Sequence, residues 1–219
     1  MTARIALLGG SYDPVHHGHV ALGAYFANLL QADELRVVPA GLQWQKGAPG
    51  ASPQQRAEMA RLAFAGQPFP VVIDEQEIER AAQGRPSYSV DTLRQTRAEL
   101  GPQASIAFLI GADQLQRLDT WHEWRALFDY AHICVAARSG AALDLAALPP
   151  AVAAEFGARL ATPDKIRNTP HGLTYLAPDF AVDISATQIR AALQRGDEAS
   201  SLIAPVVLDY IEQHNLYKS

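Results

Sequence analysis

His16 and His19 stand three residues apart at the end of the run GGSYDPVHHGH, Gly9 to His19. At the start of a helix such a pair projects from one face toward one ligand. Imidazole N–H groups aimed together suit an anion with several oxygens, and the residues before them point the same way. An apolar run from Arg4 to Leu8 leads into a tight turn of Gly9, Gly10 and Pro14, and a helix-like segment follows. Strand, glycine turn and helix start together form the usual phosphate site of an α/β sheet, with free backbone N–H groups facing the anion. Glycine lets the backbone approach an oxyanion with no Cβ in the way, and Asp13 is placed to cap the helix. The triplet His16, His17 and His19 is also a candidate zinc set. It has no cysteine or carboxylate partner nearby, and His17 points away from the other two, so phosphate is the better ligand.

The elements that must hold this turn follow from periodicity. Val20 to Leu30 continues the helix with Leu22, Tyr25, Phe26 and Leu29 at helical spacing, and Leu35 to Pro39 reads as a buried strand. Strand, helix and strand make a βαβ unit with a right-handed crossover and a parallel sheet. Ser52 to Ala65 is a helix with Pro53 in its first turn, where Arg56 is a surface or loop-bracing cation. Val71 to Ile73 makes a third strand, and the acidic EQEIER after it reads as a solvated turn. SYSVDTL opens a helix with Ser89 as N-cap and Asp91 in the first turn. Ile106 to Ile110 is a central strand. It ends in Gly111-Ala112-Asp113, a carboxylate positioned either for ribose hydroxyls at the strand's carboxyl end or as a cap on the next helix.

Trp124 reads as core, whereas Trp121 follows a polar run and is expected as an exposed indole. His132 to Ala137 is a fifth strand with Arg138 at its mouth. Gly140 to Leu160 is rich in Ala and Pro and carries no catalytic signal, and Thr174 to Ala177 is a last strand. ISATQIRAALQRG is a helix capped by Ser185, with Arg190 one turn inside and Gly196 past its end. Pro205 to Tyr217 forms a final amphipathic helix and reads as structural. The expected fold is α/β, a Rossmann-like doubly wound parallel sheet with flanking helices and a small C-terminal helical portion over about 184–219. The chain reads as one domain, 1–219, with no internal repeat.

Composition bounds the function. At 219 residues and 48% hydrophobic, the chain can bury a substantial core. Its one cysteine, Cys134 in the apolar run HICVAA, reads as a buried core thiol and suits a reducing cytoplasm. No signal peptide or membrane-spanning run is expected, so a cytoplasmic location and no membrane partner follow. A net charge of −5 without a clustered basic face argues against nucleic acid.

GGSYDPVHHGH resembles the GGxFDPxHxGH signature of the HxGH nucleotidyltransferases, with Tyr12 in place of the usual Phe. ISATQIR, Ile184 to Arg190, resembles their closing ISSTxIR, with Ala186 for the commoner Ser. The intervening RPSYSVDTL, FLIGAD and TWHEW are similar to segments of bacterial nicotinate mononucleotide adenylyltransferases, and the likeness runs over essentially the whole chain. The resemblance implies adenylyl transfer from ATP to nicotinate mononucleotide, with Mg2+ bound mainly through the ATP phosphates and water. It implies His16, His19 and Arg190 as catalytic. It implies ATP contacts at Gly9, Gly10, Ser11, Tyr12, Gly18, Gly111, Asp113, Arg138, Ile184, Ser185 and Thr187. Lys46, Ser89, Val90, Trp121 and His122 would bind the acceptor, with Ser89 and the backbone near Val90 facing the pyridine ring and Trp121 stacking on it. In the family a His commonly precedes the basic residue of the mobile loop, and Gln45 stands there in this chain. An acidic protein that binds two anions must focus a few cations in its cleft, and Lys46, Arg138 and Arg190 are the candidates. Homo-oligomer formation stays open. A pantetheine-phosphate or cytidylyl transferase shares both end motifs, but Trp121 and SYSVDTL stand against it. A non-catalytic nucleotide sensor is the other alternative, against which stand His16, His19 and Arg190, groups whose value lies in the transition state.

Overall fold

Six strands alternate with helices along the chain, and pairing assembles them into one parallel sheet. The computed structural model describes residues 2–41, 50–137, 145–178, 180 and 184–217. The strands are β1 (Arg4–Gly10), β2 (Glu34–Pro39), β3 (Val71–Ile73), β4 (Ser105–Gly111), β5 (His132–Ala136) and β6 (Thr174–Ala177). The helices are α1 (His17–Leu29), α2 (Pro53–Ala63), α3 (Gln76–Ala82), α4 (Ser89–Leu100), α5 (Ala112–Leu115), α6 (Leu127–Tyr130), α7 (Pro150–Ala158), α8 (Pro163–Arg167), α9 (Ala186–Arg195) and α10 (Pro205–Gln213). The sheet order is β3-β2-β1-β4-β5-β6, every neighbour parallel. The chain therefore winds outward in one direction to β3, then restarts from β1 in the other, which leaves a crevice between the carboxyl ends of β1 and β4.

Strand side chains alternate between two apolar layers, as a sheet covered on both faces requires. Ala6, Leu8, Leu35, Val37, Leu109 and Cys134 face a cluster that includes Phe26, Met59, Ile189, Val207 and Ile211. Leu7, Val38, Ile106, Phe108, Ile133 and Val135 face a second cluster with Leu93, Trp124, Phe128, Val152 and Phe156. Burial pushes the Cys134 thiol far above its usual range, so it is an inert core group. α9 and α10 add Ile189, Val207 and Ile211 to the first layer, so the C-terminal helical portion is built onto the sheet's core.

The helix signals act locally as their chemistry dictates. Ser52 accepts from Gln55 N at 3.2 Å while its own N–H donates to Gln55 Oε1 at 2.9 Å, a reciprocal cap with Pro53 just inside. Gly196 ends α9 at φ 75. EQEIER is not a solvated turn: it forms α3, with Gln76, Ile78 and Arg80 buried. Asp74 accepts from Gln76 N at 3.0 Å, and Arg80 donates to Gln76 Oε1 at 2.9 Å and to Thr92 Oγ1 of α4 at 2.7 Å. Through Arg80 to Thr92 and Gln76 to Thr96, the buried polar side chains of α3 turn toward α4. Among the described residues no helix is long and apolar enough to cross a membrane.

Candidate active site

β1 delivers its last residues to the crevice. Leu8 pairs with Leu109 of β4, and the two strands run on to Gly10 and Gly111, so both glycine corners open at the same place. Tyr12 follows with φ 50 and a fully buried ring whose hydroxyl donates to Leu8 O at 2.7 Å. The ring lies against Gly10, where an added Cβ would come within 3.0 Å of Tyr12 Cζ. Tyr12 thus props the loop from below, and its backbone alone can face a nucleotide.

α1 begins at His17 with His16 as its N-cap residue. The rings of His16 and His19 stack at 3.7 Å between centroids, and Tyr12 meets His19 edge-on at 4.9 Å. The backbone N–H of His16 donates to His19 Nδ1 at 3.2 Å. An accepting Nδ1 puts the proton of the neutral ring on Nε2, so His19 carries a donor on the edge away from the backbone. His17 is exposed and its N–H donates to Leu202 O at 2.9 Å, so it lies outside the pair. Among the described residues no group of three or more His, Cys, Asp or Glu is gathered as a metal site.

Asp13 is not the cap of α1. Its carboxylate accepts from Gly50 N at 3.0 Å, Ala51 N at 3.2 Å and Tyr217 Oη at 2.7 Å, all far along the chain. Tertiary donors outcompete the local cap. Its backbone carbonyl accepts from Arg190 Nη1 at 2.6 Å, which ties ISATQIR directly to the first motif. Ser185 caps α9 as expected, accepting from Gln188 N at 3.2 Å. Thr187 is exposed, with Oγ1 3.4 Å from Arg190 Nη2, and Ile184 packs on the first core layer. Arg56 braces the loop but is not a surface cation. It is fully buried, donating from Nη1 to Ser11 O at 2.7 Å and from Nη2 to Ala40 O at 2.6 Å and Gly41 O at 3.1 Å. One guanidinium locks the carboxyl ends of β1 and β2 together.

Across the crevice, Gly111 N donates to Gln114 Oε1 at 3.1 Å, and Gly111, not Asp113, is the N-cap of α5. Asp113 is exposed in the first turn beyond it. The N-cap of α4 is Tyr88, not Ser89, which is the first helical residue. Ser89 is half-buried and Val90 fully buried in the second core layer, so Val90 can offer a ligand only its backbone. The Tyr88 ring packs on His122 at 4.3 Å, which brings the α4 start beside the Trp121–His122 segment. Trp121 is half-buried, not free in solvent, because its indole meets Phe108 of β4 edge-to-face at 6.2 Å and packs on the second layer. Phe108 also lies beneath Gly9, 3.5 Å from where a Cβ would stand. The aromatic wall and the glycine turn therefore share one support. Lys46, together with Trp44 and Gln45, and Arg138 lie outside the described residues.

Arg56, Tyr88 and Tyr217 were not singled out as site residues from sequence. Tyr88 stands inside SYSVDTL and was within reach of that reading. Arg56 was read only as a surface or loop-bracing cation, since one of its partners lies 45 residues away, and nothing local marks Tyr217, whose partner lies 204 residues away.

A cytidylyltransferase-like family model matches residues 7–192. The chain is 61% identical over 219 residues to a Herminiimonas arsenicoxydans protein named "Probable nicotinate-nucleotide adenylyltransferase", covering all of this chain and 99% of that one. A Laribacter hongkongensis protein of the same name is 46% identical, over 98% of this chain and 94% of the other. Among solved structures, Plasmodium falciparum nicotinic acid mononucleotide adenylyltransferase complexed with NaAD superposes with a TM-score of 0.72 at 19% identity. The match covers 98% and 97% of the two chains and supports the fold.

Proposed function

This chain belongs to the nicotinate-nucleotide adenylyltransferase family, within the cytidylyltransferase-like proteins, and from that premise we propose that it adenylylates nicotinate mononucleotide. The products are nicotinate adenine dinucleotide and pyrophosphate, in a step of NAD biosynthesis in the cytoplasm. The observation that carries this reading is that Arg190 holds the Asp13 carbonyl of the loop that carries the stacked His16–His19 pair, while Phe108 under Gly9 of that loop also supports Trp121.

The reaction needs no nucleophile from the protein. A 5′-phosphate oxygen of the mononucleotide attacks the α-phosphorus of ATP, a new P–O bond forms, and the bond to the β-phosphate bridging oxygen breaks with its electrons leaving on pyrophosphate. A phosphate monoester has a second pKa of about 6, so the attacking group is already ionised near neutral pH and no general base is required. What remains is to align two anions and to stabilise charge on the transferring and leaving groups. His19, with its proton on Nε2, donates to a phosphate oxygen, and His16 stands stacked beside it. The α1 start and the backbone of Gly9, Gly10, Ser11, Tyr12 and Gly18 cradle the α- and β-phosphates. Arg190, Ser185 and Thr187 take the outer phosphates from the α9 start, with Ile184 leading into it. Gly111 and Asp113 receive the ribose, and Arg138 adds positive charge. Magnesium arrives as part of the substrate, on ATP phosphates and water. This fits the chemistry of Asp13, whose carboxylate is occupied by three protein donors.

On the acceptor side, Trp121 stacks on the pyridine ring while N–H groups near Ser89, Val90 and His122 meet its carboxylate, and Lys46 pairs with the mononucleotide phosphate. The test is the purified protein with Mg·ATP against a panel of phosphorylated acceptors, read by chromatography. Dinucleotide from nicotinate mononucleotide is the expected result. Adenylylation of phosphopantetheine alone would refute the reading.

A further inference from the structure

We propose that Tyr217 is a positioning residue for the nucleotide phosphates: its hydroxyl occupies the Asp13 carboxylate and so leaves Arg190 available to ATP. The inference takes its ligand from the proposed adenylyl transfer.

The geometry is a contest for one carboxylate. Asp13 is buried, 4% exposed, at the centre of the histidine loop. Oδ1 accepts from Tyr217 Oη at 2.7 Å and Ala51 N at 3.2 Å, and Oδ2 accepts from Gly50 N at 3.0 Å. Arg190 Nη1 stands 4.0 Å from Oδ2, outside hydrogen-bond reach, and donates instead to the Asp13 backbone carbonyl at 2.6 Å. The guanidinium is therefore held next to a carboxylate it does not close upon. A bidentate Arg–carboxylate pair is among the strongest side-chain contacts available, and three protein donors keep it from forming. Two of them are backbone N–H groups fixed at the entry to α2. The third is delivered by the tail beyond α10.

Tyr217 is built for this one contact. It is 6% exposed, and its ring lies so close to Gly50 that a Cβ there would be 2.5 Å from Tyr217 Cδ1. Burial, with the Asp13 hydrogen bond adding to it, pushes the phenol above its ordinary range, so it remains a donor at every working pH. Without the hydroxyl, the carboxylate keeps only the two backbone donors, and Arg190, whose Nη1 already stands 4.0 Å from Oδ2, is the cation placed to close on it. Closing that pair turns the guanidinium away from the phosphates.

Tyr217→Phe keeps the ring against Gly50 and removes only the donor. Binding of a non-hydrolysable ATP analogue with Mg2+ is measured by calorimetry for the wild type, Tyr217→Phe, Arg190→Ala and the double variant. Tyr217→Phe is expected to weaken the analogue about tenfold, the scale of one charge-assisted contact, with the melting temperature nearly unchanged. In the Arg190→Ala background the same change should cost less than about twofold, because no guanidinium remains to be captured. In turnover, kcat/KM for ATP should fall by the tenfold factor while KM for the acceptor holds. Equal losses in both backgrounds, or wild-type analogue affinity in Tyr217→Phe, would overturn the inference. If the calorimetric pattern holds but the wild type makes no dinucleotide from nicotinate mononucleotide, the proposed function fails and the role of Tyr217 stands.

Discussion

Replacing His19 separates the two things its ring does. One is packing: the ring stacks on His16 at 3.7 Å and meets Tyr12 edge-on at 4.9 Å. The other is hydrogen bonding, since Nδ1 accepts from His16 N, and the proposed function makes Nε2 the donor to a phosphate oxygen. Loss of one transition-state donor typically lowers kcat about 100-fold, or roughly 2.7 kcal/mol of barrier. Loss of the Nδ1 acceptor strands a partly buried N–H, a cost of about 1 kcal/mol, and should lower Tm by ~2–4 °C for a chain of this length. His19→Ala should show both effects, with KM for ATP within a few-fold of the wild type. His19→Phe keeps an aromatic ring in the stack, so it should melt higher than His19→Ala yet be equally slow. Steady-state kinetics and thermal melts on the two variants read this directly. Near-normal turnover in His19→Phe would refute the reasoning, because the ring would then act by packing alone.

His132 is a buried neutral histidine: Nδ1 accepts from Leu173 N at 3.1 Å and Nε2 donates to Thr169 O at 2.8 Å. Burial above all pushes its pKa from 6.5 down to about 4. The unfolded chain therefore binds the proton first, so this contribution is complete above pH ~6.5 and falls by about 3 kcal/mol as pH drops toward 4. Urea melts across that window should show the slope, and His132→Gln should flatten it. Arg56→Met should destabilise by on the order of 3 kcal/mol, since three backbone carbonyls lose a charged donor, and denaturant titration checks it. The acid mononucleotide should be preferred over the amide by at least about tenfold in kcat/KM, because an amide NH₂ facing backbone N–H groups leaves a mismatch of roughly 1–3 kcal/mol. Trp121→Ala should weaken both acceptors and leave that ratio intact, since both rings offer the same face; a changed ratio would place the discrimination on the indole.

What the sequence made legible was local or periodic. The apolar runs marked every strand, because a sheet buried on both faces needs near-continuous hydrophobic segments. Glycines and the two histidines marked the turn proposed to take phosphate, since few other residues permit that approach. Ser185, Ser52 and Gly196 were readable as helix boundaries from cap chemistry within four residues. Misreadings came where a long-range partner decided. Asp13 has the side chain of a cap, but donors 37, 38 and 204 residues away hold it instead. EQEIER looked solvated because Thr92 of α4, the partner of Arg80, could not be seen from its own segment. Trp121 looked exposed because Phe108, a strand residue, lies under its edge only in the fold. The link from Arg190 to Asp13 O, across 177 residues, is the contact that turns two separate motifs into one site.

The most direct test of the account is a time course of both products from the wild type and His19→Ala, with Mg·ATP and nicotinate mononucleotide. The account predicts that nicotinate adenine dinucleotide and pyrophosphate appear in equal amounts, that neither forms without the acceptor, and that His19→Ala slows both by the same factor of about 100. Pyrophosphate released without dinucleotide, or two products slowed by different factors, would contradict it.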